Sequence, residues 1–151
     1  MVIETTLHSI GTSSPQWALY LHTQMPAYSD QSPSHAHFIE MLIKQNGNHW
    51  RKILVIWAKL CAPDQHWRDY LYEQLLNEQQ IVIGSRQLSA ASQHFIAGKA
   101  NWLQFGFHLD LALPNYHWQP PFCLVPYPDY RQFPNRLIAA IRQDLQANTP
   151  T

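Results

Sequence analysis

The run Ile53-Leu54-Val55-Ile56-Trp57-Ala58 constrains the fold more than any other stretch of this chain. Every position in it is apolar, with no alternation. A half-buried strand alternates apolar with polar residues. The segment from Lys52 to Leu60, built around this run, therefore reads as a central strand covered on both faces. Strands of that kind belong to domains in which helices pack on a sheet.

The flanking patterns agree with such a domain. Gln16 to Thr23 is a candidate strand with Trp17, Leu19 and Leu21 on one face. Ser34 caps a helix running to about Gln45, whose Phe38, Met41 and Leu42 make one stripe. Asn46-Gly47-Asn48 ends it. Pro63-Asp64 opens a second helix carrying Trp67, Leu71 and Leu75. Gln80 to Gly84 is a short strand, and Ala90 to Ala97 is a helix stopped by Gly98. Trp102 to Leu113 alternates as a strand, Phe122 to Val125 is a short edge strand, and a last helix runs from about Pro134 to Gln146. Strand and helix alternate throughout. The expected fold is α/β: a single-domain three-layer sandwich with a mostly parallel central sheet. Residues 1–30 make an N-terminal partner-docking segment and first strand, and residues 31–151 the α/β domain. A turn-prone stretch from Pro26 to Ser34 separates them.

A length of 151 residues fits one such domain. Only 13% of residues are charged, against about 25% in an average protein. A surface so poor in charge suits burial against a partner, because few charges need desolvating. The formal net charge of zero argues against direct nucleic-acid binding, which needs a basic face. Lys44, Arg51 and Lys52, and likewise Arg131, Arg136 and Arg142, read as solvated faces. No membrane span and no secretory leader is visible. The expected setting is cytoplasmic, with Cys61 and Cys123 reduced and buried.

Catalytic signatures are missing. The five glycines form neither dinucleotide-binding nor P-loop patterns. His35 and His37 make an H-x-H pair, with Asp30 and Glu40 near in sequence. At a helix start such residues point apart, so they read as satisfied or solvated histidines rather than metal ligands. His108 and Asp110 share a strand face, which reads as a polar face; a small enzyme built on that acid–base pair is the weaker alternative. No metal, no cofactor and no catalysis are expected. Trp17 has two readings: an exposed docking residue, or an ordinary edge-strand residue packed on its own sheet.

Two stretches resemble the psi subunit family of the bacterial DNA polymerase III clamp-loader assembly. One reads Leu7-His8-Ser9-Ile10-Gly11, then Gln16-Trp17-Ala18-Leu19, then Pro26. The other reads Asp129-Tyr130-Arg131-Gln132-Phe133-Pro134, followed by the helix-forming Arg136 to Ile141. The resemblance implies a non-catalytic bridge. Leu7, Ile10, Gly11 and Trp17 would dock on the clamp-loader ATPase subunit. The body would bind the chi subunit, which contacts single-strand DNA-binding protein. The centre is also similar to the SOS cell-division inhibitor family that caps the tubulin-like division protein. That similarity rests on a helix before the Arg51 to Trp57 strand, on Trp67, and on Gln87-Leu88-Ser89.

Overall fold

A computed structural model describes residues 3–29 and 31–148. Twelve elements follow in the order β1 (Ser9–Gly11), β2 (Trp17–Leu21), α1 (His35–Asn46), α2 (Asn48–Cys61), α3 (Trp67–Glu73), α4 (Leu75–Glu78), β3 (Gln80–Ile83), β4 (Gln93–Ala97), α5 (Lys99–Gln104), β5 (His117–Gln119), β6 (Phe122–Val125) and α6 (Asn135–Asn148). They form one α/β domain around a six-stranded mixed sheet of order β1-β3-β2-β4-β6-β5. The inner strands β3, β2, β4 and β6 run parallel. The outer strands β1 and β5 pair antiparallel with β3 and β6.

The apolar run that suggested a central strand is the middle of helix α2. Ile53 to Ala58 are all buried, as are Trp50, Leu60 and Cys61. The helix touches α1, α3 and α6. A helix surrounded in this way loses its polar stripe, and periodicity then cannot separate it from a buried strand. Three further expectations change. Residues 93–97 are strand β4 rather than a helix, because Gly98 opens a strand-to-helix turn with φ +90° instead of ending a helix. Trp102 lies in helix α5, with its indole N–H donating to the carbonyls of Ile96 and Val125 at 2.9 and 3.0 Å. Phe122–Val125 is not an edge strand, since β6 sits between β4 and β5.

Alternate strand residues face two clusters. Leu19, Leu21, Ile81, Ile83, Phe95 and Val125 face the larger one, with α1, α2, α3 and α6. Ala18, Tyr20, Val82, Ile96 and Leu124 face the smaller one, with Trp102 of α5. Phe105, Phe107, Leu109 and Leu111 pack partly buried against that smaller cluster. Trp17, Trp57 and Trp118 converge on Phe95, with ring centroids 5.8, 5.4 and 6.4 Å away. Arg142 of α6 donates to the carbonyls of Lys59, Leu60 and Ala62, at 2.9, 3.1 and 2.7 Å. Those are the orphan acceptors at the C-terminal end of α2, so this one side chain caps it. No helix among the described residues is long and apolar enough to cross a membrane.

Candidate functional site

Parallel strands end together, and the loops that leave their C-terminal ends form a crevice where the strand order reverses. Here the reversal lies at β2, whose neighbours are β3 and β4. The four inner strands close in two pairs at this end. The Gly84 amide after β3 donates to the Leu21 carbonyl of β2 at 2.9 Å. The Gly98 amide after β4 donates to the Val125 carbonyl of β6 at 2.8 Å. Both glycines have positive φ, and a Cβ on Gly98 would stand 3.6 Å from the Tyr127 ring.

Tyr127 is the centre of the cluster. Its hydroxyl lies 2.7 Å from His49 Nε2, in the first turn of α2. The two rings stack with centroids 5.7 Å apart and planes 16° apart. Burial pushes the Tyr127 hydroxyl above its usual range, a hydrogen bond with Thr23 acts against this, and the Asp129 charge raises it further. Asp129 is committed to the loop, where it accepts from the amides of Arg131 and Gln132 at 2.9 and 3.1 Å. Lys52 Nζ lies 5.6 Å above the Tyr130 ring.

Cations therefore gather at one end of the sheet. Arg51 and Lys52 come from the start of α2, Lys99 from the start of α5, and Arg131 from the β6–α6 connection. Arg51, Lys99 and Arg131 are exposed. The fold brings Arg51 and Lys52 of one sequence cluster to the same end as Arg131 of the other, whereas Arg142 lies at the far end of α2. A stacked His–Tyr pair, a threonine hydroxyl and a cationic rim make an arrangement suited to an anion.

The expected docking residues do not form one surface. Leu7 is 82% exposed, whereas Ile10 is fully buried in β1. Gly11 lies against the backbone of Gln79 and Gln80. Trp17 opens β2 and is separated from β1 by strand β3. Its ring packs on Phe95, and its amide donates to Gln79 Oε1 at 2.7 Å. The segment 1–30 thus contributes two strands to the sheet.

The other candidates resolve individually. Leu76 donates its amide to His35 Nε2 at 3.0 Å, so Nδ1 carries the proton and donates to the Tyr72 carbonyl at 2.7 Å. His35 is a neutral strut between helices, and burial lowers its pKa. His37 is exposed, and Asp30 lies outside the described residues. No group able to hold a metal occurs among the described residues. His108 and Asp110 are both exposed in a segment without regular structure. Cys61 and Cys123 are buried, and burial pushes both thiols far above their ordinary range.

Sequence reasoning missed His49, Tyr127 and Thr23. The one available signal was the cluster Tyr127-Pro128-Asp129-Tyr130-Arg131 directly after an apolar strand. A model described as a family of unknown function (DUF6942) matches residues 8–146. Neither the curated proteins nor the solved structures give a match to this chain.

Proposed function

We propose that this chain, which belongs to the DUF6942 family, is a binding domain for a small phosphate-bearing ligand. The observation that carries the reading is the stacked His49–Tyr127 pair at the strand-order reversal. Its setting among Lys52, Lys99 and Arg131 selects a negative ligand. The role is one of binding, without catalysis, in a cytoplasmic setting. The three-layer description of the fold belongs to the same reading, with α5 and residues 105–111 as the thin third layer.

Thermal unfolding with inorganic phosphate, pyrophosphate and nucleoside phosphates tests it. A ligand at a hundredfold its dissociation constant adds about 2.7 kcal/mol to stability. The expected result is a rise in Tm with at least one of these compounds, and its loss in a His49→Ala, Lys99→Ala double variant. A panel with no shift rejects the proposal, and so does a shift that survives in the double variant.

A second reading is the clamp-loader bridge implied by the psi resemblance. The observation favouring it is the exposure of Leu7, 82%, at the turn beside the Thr5–Ile10 bridge. Deleting residues 1–30 would remove β1 and β2 and with them the sheet. The usable variant is Leu7→Asp, expected to lose the clamp-loader ATPase subunit in a pull-down while keeping chi. Wild-type chain that captures neither subunit rejects the bridge.

A further inference from the structure

Residues 105–113 carry the pattern of a strand without being one. Burial alternates at each step from Phe105 to Ala112, with Phe105, Phe107, Leu109 and Leu111 inward and His108 and Asp110 exposed. The Phe107 amide still donates to the Trp102 carbonyl at 2.9 Å. Among the described residues, no backbone hydrogen bond engages positions 108–113. An alternating chain that lies on an apolar face, with its own amides and carbonyls unpaired, is an open template for another extended chain.

We propose that this template pairs with itself: two copies of the chain join antiparallel through residues 107–111, about a two-fold axis at Leu109. The sequence Phe107-His108-Leu109-Asp110-Leu111 is self-complementary in that register. Phe107 meets Leu111 of the second copy, and Leu109 meets its own equivalent. His108 meets Asp110 of the second copy, and the symmetry makes that pair twice. A parallel, in-register pairing would set Asp110 beside Asp110, which like charges disfavour. Charge therefore selects both the occupant and its direction. An isologous contact also closes after two copies, so it yields a dimer rather than a fibre.

The surroundings extend the contact. Leu88 is 47% exposed, Leu103 57% and Leu113 36%. A cavity of about 620 Å³ lies against the segment, lined by Arg86, Leu88, Gln104, Phe105, Phe107 and Phe122. Exposed leucines beside an unpaired strand edge give a second copy apolar area as well as backbone partners.

Sedimentation velocity of the full chain across a concentration series tests the proposal. Wild-type protein is expected to sediment as a dimer that dissociates on dilution. Asp110→Lys places a cation against His108 and is expected to leave a folded monomer, since Asp110 is exposed, with the circular dichroism and Tm of wild-type protein diluted below its dimer range. His108→Glu is expected to do the same, because it sets a second carboxylate against Asp110. An equimolar mixture of the two variants is expected to restore the dimer. In the mixed pair the introduced lysine faces the introduced glutamate, and the unchanged His108 of one copy faces the unchanged Asp110 of the other. A wild-type chain that is monomeric at every concentration overturns the proposal. A dimer that persists in Asp110→Lys, or a mixture that stays monomeric, does so as well.

Discussion

Replacing Phe95 by alanine is expected to remove about 3–5 kcal/mol of stability, the usual cost of emptying a large aromatic site in a core. Phe95 is fully buried in the middle of β4. It meets Trp17 of β2 and Trp57 of α2 edge-on, and Trp118 of β5 at a tilt. These contacts join three strands and the central helix at one ring. Aromatic pairs contribute roughly 0.5–1.5 kcal/mol each beyond burial. A domain of this size has about 5–15 kcal/mol in total, so the variant should lie near the limit of folding at 37 °C. Urea unfolding checks this through the drop in midpoint at constant slope. A loss below about 1.5 kcal/mol, the range of tolerated hydrophobic swaps, would mean that the three tryptophans do not depend on this ring.

Gly11→Ala is expected to cost on the order of 3 kcal/mol, for two separate reasons. Gly11 has φ +112°, a conformation that L side chains rarely adopt. A Cβ there would also lie 2.3 Å from the Gln79 carbonyl oxygen, which is backbone and cannot rotate away. Strand β1 would have to leave β3. Gly47 supplies the control: it has φ +74° but no atom within 4 Å of an added Cβ. Gly47→Ala should therefore carry only the backbone term, about 1 kcal/mol, the low end of the cost of such positions. Chemical denaturation of both variants separates strain from collision. Equal losses in the two would remove the close-approach argument.

The same glycine shows what was readable in the chain. The Ile10-Gly11 step stands out in the sequence, and the structure gives it a local reason, the close approach of β1 to the Gln79–Gln80 backbone. Strands β2 and β3 and helices α1 and α6 follow from local signals: an apolar alternation, a Ser34 cap that accepts from the His37 amide at 3.1 Å, and a closing glycine. What misled was context. The run in α2 is apolar all round because helices and sheet enclose it. Gly98 announces a positive φ, and that residue serves equally to end a helix or to leave a strand. The alternation in 105–113 is that of a strand, yet the chain lays it on the sheet face rather than in the ladder. The His49–Tyr127 pair was out of reach for a different reason. Its members are 78 residues apart, and only the docking of α2 against the β6 end brings them together.

The sheet order has a consequence for how the chain is made. Strand β2 leaves the ribosome early, yet its neighbours are Gln80–Ile83 and Gln93–Ala97. Strand β1 waits for the same β3. At about 5–20 residues per second, both stay without partners for several seconds, together with Trp17 and Ile10. During that interval the nascent segment is a pair of sticky, unpaired strands. The chaperones that meet it first would see the very residues that are best hidden once synthesis is complete.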